Sequence, residues 1–202
     1  MEVVTSAAAE RNKQPIAEQL RTLLPAAGKV LEIASGTGQH VVHFAAQLPG
    51  IIWQPTECSA AGLEYLEVVR LLAGLPNIAA PHPLDVLQAD WHLPRDFDAL
   101  VCINMIHISP WETTAALFAG AARHLSIAGP GLLVLYGPFR ESGQHTAPSN
   151  ETFEVWLKAK DARFGVRNLE DVDASASAAG FGRVHLARLP ANNLLLAFRR
   201  GH

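Results

Sequence analysis

The chain has 202 residues, 49% of them hydrophobic and 17% charged; that length can close a hydrophobic core, and that apolarity excludes a disordered chain. A formal net charge of −3 at pH 7 excludes the overall basic footprint of a nucleic-acid-binding protein. The longest apolar runs, such as 132–135, fall far short of the ~20 residues a membrane helix needs.

Residues 1–10 hold no basic segment followed by an apolar one, so no secretion signal is expected. The first helix is predicted from Pro15, a residue suited to a first turn, through Ile16, Leu20, Leu23 and Leu24 to Pro25. That leaves Glu10, Arg11, Asn12 and Lys13 ahead of the helix, free to contact a ligand. Lys29-Val30-Leu31-Glu32-Ile33 reads as a first strand, running into Ala34-Ser35-Gly36-Thr37-Gly38 and a helix over 39–48. A second strand over 51–55 ends at Thr56-Glu57, and Ser59 caps the next helix, which carries Leu63, Leu66, Val69 and Leu72. A short third strand over 78–84, interrupted by prolines, belongs near a sheet edge and leads to Asp85. The run 97–103 is continuously apolar, as a buried parallel strand requires.

Ser109-Pro110-Trp111-Glu112 fits a capping box with proline at the first helical position, and the helix it opens is expected to end near Gly129. A fifth strand over 131–136 precedes a long polar connection, 137–150, of the kind that is functional or mobile. Helices over 150–160 and 169–179 follow, then strands over 182–189 and 193–199 joined by the hairpin-like turn Pro190-Ala191-Asn192. Strands alternating with helices predict an α/β fold around a mainly parallel sheet. With its antiparallel hairpin at the end, this is the layout of class I methyltransferases.

The segment 31–40 carries the main chemical signal. Small residues between a strand and a helix let the backbone turn sharply and approach a ligand closely. A nicotinamide dinucleotide fingerprint needs a third small residue near the helix, and Val41 or Gln39 occupies that place. Glu32, at the end of the strand, would repel a pyrophosphate but suits a ligand carrying an ammonium and a sulfonium; S-adenosyl-L-methionine is such a ligand. Glu57 can accept hydrogen bonds from both ribose hydroxyls. Asp85 can accept from an adenine amino group, with the Val86 backbone reading the ring edge.

Asn104-Met105-Ile106-His107 follows the fourth strand, where open α/β sheets bind their ligands. Asn104 is a candidate for orienting the methionine part or the acceptor, and His107 for taking a proton from the acceptor. His145, in the long polar connection, is a candidate lid residue, and Tyr136, Arg140 and Asn150 are candidates for the same cleft. Arg163, Arg167 and Arg183 could form a local basic patch but read as scattered, solvated arginines. His40 and His43 lack a third ligand at a metal-binding spacing, so no metal is expected. Cys58 and Cys102 have neither C-x-x-C nor zinc spacing, which suggests reduced thiols and a cytoplasmic setting.

Six stretches together resemble a family of methyltransferase-like proteins labelled as domain of unknown function 938, whose animal member is called methyltransferase-like protein twenty-six. They are Glu10-Arg11-Asn12-Lys13-Gln14-Pro15-Ile16, the loop 31–40, Asn104-Met105-Ile106-His107-Ile108, Leu135-Tyr136-Gly137-Pro138-Phe139, Thr146-Ala147-Pro148-Ser149-Asn150 and Pro190-Ala191-Asn192-Asn193-Leu194. The first and fourth are more specific than the glycine loop, which many methyltransferases share. Ala34 stands where a glycine is common and Glu57 where an aspartate is; both replacements keep the needed size or charge. The resemblance implies one domain over 1–202, a seven-stranded Rossmann-like methyltransferase fold and an S-adenosyl-L-methionine pocket. It supplies no acceptor and no catalytic residue. The expected activity is methyl transfer to a small-molecule oxygen, nitrogen or sulfur nucleophile, with no nucleic-acid or membrane partner. The alternative is a binding protein that senses the cofactor or its demethylated product without turnover.

Overall fold

The computed structural model of the protein describes residues 5–201. The domain limits and the secretion-signal reading extend, at residues 1–4 and 202, outside the described residues. In chain order the elements begin α1 (Ala7–Leu23), β1 (Gly28–Ile33), α2 (Gln39–Gln47), β2 (Ile51–Glu57), α3 (Ala60–Ala73), β3 (His82–Pro83), β4 (Ala99–Ile103) and α4 (Glu112–His124). They continue with β5 (Leu132–Gly137), β6 (Phe139–Glu141), β7 (Gln144–His145), α5 (Pro148–Lys160), β8 (Arg167–Asn168), α6 (Leu169–Ala178), β9 (Phe181–Leu189) and β10 (Asn193–Arg200).

Seven strands form the main sheet in the order β3-β2-β1-β4-β5-β10-β9. The first five are parallel, and β10 runs antiparallel to both β5 and β9. The central strands are buried on both faces, as parallel crossovers demand. Leu31, Ile33, Leu100, Leu133 and Leu135 pack with Phe118 and Phe198 on one side. Val30, Ala99, Val101, Val134 and Tyr136 pack with Ile16, Phe44 and Trp53 on the other. The period-2 split follows from side chains alternating across a pleated strand. The chain winds from β1 outward to β3, then returns to place β4 on the opposite side of β1. The strand order therefore reverses between β1 and β4, the point where such sheets form a ligand crevice.

Four sequence expectations need correction. First, α1 starts at Ala7, not near Pro15. Ser6 caps it by accepting from the Ala9 N–H, and Pro15 lies inside the helix. The proline cannot donate to the Arg11 carbonyl, but the buried stripe of Ala9, Asn12, Ile16, Ala17 and Leu20 holds the helix against the protein. Arg11 and Asn12 are thus helical residues rather than part of a free leader.

Second, no capping box forms before α4. Trp111 at the cap is already helical and makes no side-chain cap. Ser109 Oγ donates to the Met105 carbonyl at 2.7 Å, beside the Ile108 N–H that already bonds it, and pairs with Thr113 Oγ1 at 2.6 Å, so its hydroxyl is engaged in the tight 3-10 turn Met105–His107 instead of capping the helix. The helix ends at His124, since Leu125 leaves to bridge Phe97. Third, the expected strand over 78–84 shrinks to His82–Pro83 plus an isolated bridge from Ile78 to Trp53. It does lie at the sheet edge, as its prolines suggested.

Fourth, 137–150 is not a loop. It holds the β6–β7 hairpin, whose turn residues Ser142 and Gly143 both have positive φ, 51° and 75°, as a type I′ hairpin turn requires. β6 also pairs with β8, making a second, three-stranded sheet in the order β7-β6-β8.

Candidate functional site

The loop after β1 is stitched to the end of β2. Ser35 N–H donates to the Thr56 carbonyl at 2.8 Å, Thr56 Oγ1 donates to the Glu32 carbonyl at 2.7 Å, and Thr56 N–H donates to Ser35 Oγ at 3.2 Å. The two glycines serve different ends. A Cβ on Gly38 would press on Leu66 and Val69 at 3.0 Å, so Gly38 lets α3 pack close. A Cβ on Gly36 would meet no described atom within 4 Å, so its backbone faces open space. Ala34 and Gly36 both adopt positive φ, 54° and 55°. Thr37 Oγ1 donates to Gln39.

Glu32 sits beneath this loop with 2% of its surface exposed. Burial pushes its carboxyl up to about 8, against the opposing hydrogen bond from Ser35. Its Oε2 has no hydrogen-bond partner among the described residues. A buried, unpartnered carboxyl is costly and calls for a cationic or hydrogen-donating partner. Glu57, at the end of β2, accepts from the Gly36 N–H at 3.2 Å and the Cys58 N–H at 2.8 Å. The Leu84 N–H donates to the Glu57 carbonyl, which brings Asp85 beside it. Asp85 accepts from the Leu87 N–H at 3.0 Å, while buried Val86 accepts from Trp91 Nε1 at 3.4 Å.

Asn104 follows β4 with φ of 62°, and its N–H donates to the Tyr136 carbonyl on β5. Met105 and His107 behind it are buried. The structure thus gathers Glu32, the loop 34–38, Glu57, Asp85, Val86, Asn104 and Met105 at the carboxyl ends of β1, β2, β3 and β4. α1 covers one side of the loop: Gln39 accepts from the Ser6 N–H at 2.5 Å and donates to Glu10 at 2.9 Å. Asn12 Oδ1 accepts from His40 Nε2 at 2.7 Å, and Arg11 is exposed on the same helix. Burial, with the nearby His43 and Lys13 charges, pushes His40 down to about 4. His43 contacts Gln14 instead, and among the described residues no group of three His, Cys, Asp or Glu is placed to hold a metal.

His107 is fully buried, edge-on to Phe139. Burial and the Arg167 charge push it down to about 3, so it is neutral. Its Nδ1 accepts from the Arg167 N–H at 3.4 Å, which puts the ring proton on Nε2. That nitrogen has no partner among the described residues; it lies over Gly137, where an added Cβ would collide with it and approach Asn104 Oδ1 to 3.1 Å. His145 lies on the small sheet, its Nε2 at 2.8 Å from Glu154 and its Nδ1 without a partner among the described residues.

Glu154 is a central residue that the sequence reading missed. It is buried, and it binds Arg140, Lys158 (3.1 Å) and His145. Its spacing of four residues before Lys158 on a helix was the available signal. Burial alone would raise its carboxyl, but hydrogen bonds from Arg140 and Lys158 hold it below the ordinary value. Of the three arginines considered as a patch, Arg183 is paired with Asp173 away from the others, whereas Arg163 and Arg167 line one groove with Arg140. Tyr136 accepts from Asn193 Nδ2 at 2.9 Å, and Asn150 donates to the Asn192 carbonyl at 3.1 Å.

The fold is shared with solved methyltransferases. Mitomycin 7-O-methyltransferase MmcR superposes with a TM-score of 0.79 at 14% identity, over 96% of this chain and 56% of that one. An O-methyltransferase family protein from Burkholderia thailandensis gives 0.80 at 14% identity, over 96% and 57%. The apo S-adenosylmethionine-dependent methyltransferase SibL gives 0.76 at 16%, over 97% and 56%. Their common architecture is the class I methyltransferase fold expected from the sequence, with the mostly parallel seven-stranded sheet and the antiparallel pair at its end. Among curated proteins, the dTDP-4-amino-2,3,4,6-tetradeoxy-D-glucose N,N-dimethyltransferase of Saccharopolyspora spinosa is 26% identical over 120 residues, 58% of this chain and 44% of that protein. The chain spans about half the length of these relatives. The model of a family described as "Protein of unknown function (DUF938)" matches residues 4–200.

Proposed function

The chain belongs to the DUF938 family, and for this member we propose the activity of an S-adenosyl-L-methionine-dependent methyltransferase, one domain over 1–202, acting on an oxygen, nitrogen or sulfur of a small-molecule acceptor. The observation that carries this reading is Glu32: a buried carboxyl with a bare oxygen, at the start of a loop in which a Cβ on Gly36 would meet open space.

The residues fit the cofactor's chemistry. Glu32 would hold the ammonium of its methionine part, and the backbone of Ala34, Ser35, Gly36, Thr37 and Gly38 would line its middle. Glu57, which now accepts from the Gly36 N–H, would hold the ribose hydroxyls. Asp85 and the Val86 backbone would hold the adenine, and Asn104 and Met105 the methionine arm, with Arg11 and Asn12 on α1 to close the side. When bound, the cofactor supplies an electrophilic methyl on a sulfonium that is already a good leaving group. The protein's work is then to align the acceptor and exclude water. Of the two candidate histidines, His107 is fully buried and neutral, its Nδ1 accepting from the Arg167 N–H, so it holds the turn after β4 rather than taking a proton. His145, backed by the Glu154 carboxylate, is the proton acceptor.

The net charge of −3 supports a small-molecule acceptor over nucleic acid, and no described helix is long and apolar enough to cross a membrane. The free thiols Cys58 and Cys102 fit a reducing compartment such as the cytoplasm.

Titration calorimetry with S-adenosyl-L-methionine, S-adenosylhomocysteine and NAD, each alone, tests the reading. Saturable heat from the two sulfur ligands supports it. Heat from NAD with silence from both would overturn it. Binding that never leads to turnover across a broad acceptor panel would leave a sensor instead.

A further inference from the structure

A groove of about 740 Å³ opens beside the proposed cofactor cleft, between α5, α6 and the start of α4. Its walls carry four basic side chains, Arg140, Lys158, Arg163 and Arg167, against two carboxylates, Glu154 and Asp171. In a chain with an acidic net charge, this is a local reversal of sign.

The reversal is not cancelled by pairing. Arg163 is answered by Asp161 at 2.7 Å. Glu154 is shared among Arg140, Lys158 and His145, and Arg140 Nε still has no partner among the described residues. Arg167 makes no ion pair among the described residues. Its guanidinium donates only to the carbonyls of Ile106 (2.9 Å), Ser109 (2.7 Å) and Arg163 (3.0 Å), and it lies over the Trp111 ring at 5.5 Å. Half-buried cations with too few carboxylates demand a counter-anion. The flat guanidinium fork favours a carboxylate or a phosphate.

The groove is also mechanically joined to the cleft. Arg140 stands on β6, three positions past the end of β5, and Arg167 binds the turn after β4 through Ile106, Ser109 and the His107 ring. We propose that this groove holds the anionic end, a carboxylate or a phosphate, of the molecule that is methylated. The inference rests on the methyltransferase reading, which locates the reacting end of that molecule in the neighbouring cleft.

The test uses inorganic phosphate and malonate as probes, titrated separately into the full chain by calorimetry, with S-adenosylhomocysteine binding measured in parallel. Saturable binding of either anion is expected, identifying a phosphorylated or a carboxylated acceptor according to which binds more tightly. Arg140→Gln should weaken it about tenfold, the loss of one charge-assisted hydrogen bond. Lys158→Gln, at a half-exposed position, should weaken it about threefold and keeps the test open if the first variant does not fold. S-adenosylhomocysteine binding should be unchanged in both. Absence of binding by both anions, or affinities indifferent to both substitutions, overturns the proposal. Loss of S-adenosylhomocysteine binding in the unaltered chain, with anion binding intact, would instead refute the cofactor reading.

Discussion

Replacing Glu32 by glutamine separates stability from binding. Glu32 is held up at about 8 from an ordinary 4.5 because burial disfavours its charged form. An acid whose folded-state value is raised binds its proton more tightly in the folded chain, so its contribution is fully present below about 4.5 and is lost as pH rises toward about 8. The slope is about 1.4 kcal/mol per pH unit over that window. At neutral pH the ionisable carboxyl therefore costs the folded state about 3 kcal/mol relative to a neutral group of the same shape. Glu32→Gln should make the ligand-free protein more stable by up to that amount at neutral pH, and by little at about pH 4. It should also weaken S-adenosylhomocysteine binding, because the carboxylate proposed to hold the ammonium is gone. Cofactor affinity of the unaltered protein should rise with pH through the same window, since the ionised form is the one that binds. Urea denaturation at acid and neutral pH, with calorimetry of the same samples, reads both effects. A variant equally stable at every pH, or one that binds as tightly as the unaltered chain, would refute the reasoning.

Gly36→Val should abolish binding of S-adenosylhomocysteine while leaving the circular dichroism spectrum intact. The new Cβ meets no described protein atom within 4 Å, although φ of 55° costs a non-glycine residue about 1–2 kcal/mol. Gly120→Ala should destabilise the protein by about 1–3 kcal/mol or more in urea titration, because the added methyl lands inside the ring of buried Trp91. Under native conditions a thiol reagent should count one cysteine, exposed Cys58, and in denaturant two. Cys102 is protected by burial, which also pushes its thiol up to about 12. Cofactor should slow the Cys58 reaction, since Cys58 binds Glu57 through both its N–H and its thiol.

The sheet and its glycine loop were legible in the sequence because they obey local rules. Alternating or continuous apolar runs reveal strands, and a run of small residues after the first of them reveals a close approach. What stayed hidden depended on partners far along the chain. Pro15 reads as a helix start until one sees the stripe from Ala9 to Leu20 packed under it. Ser109 reads as a cap until the Met105 carbonyl competes for its hydroxyl. Glu154, on α5, was unremarkable in the sequence, because its importance comes from Arg140 and His145, which reach it from the three-stranded sheet. The candidates Glu32 and Glu57 could be picked out because their strand ends are recognisable. The basic groove was not, because its four cations come from β6, α5 and the segment before α6.

The folded state of 137–147 has a thermodynamic consequence. Had this stretch been a floppy lid, each residue fixed around a ligand would have cost about 1–2 kcal/mol of backbone entropy, drawn from the affinity of whatever entered. Pinned instead by the β6–β7 turn and the β8 pairing, the wall bearing Arg140 and His145 is already ordered before any ligand arrives. Such rigidity preserves affinity for a ligand of matching shape and withholds it from others, so discrimination here is built into the resting protein rather than acquired on closure.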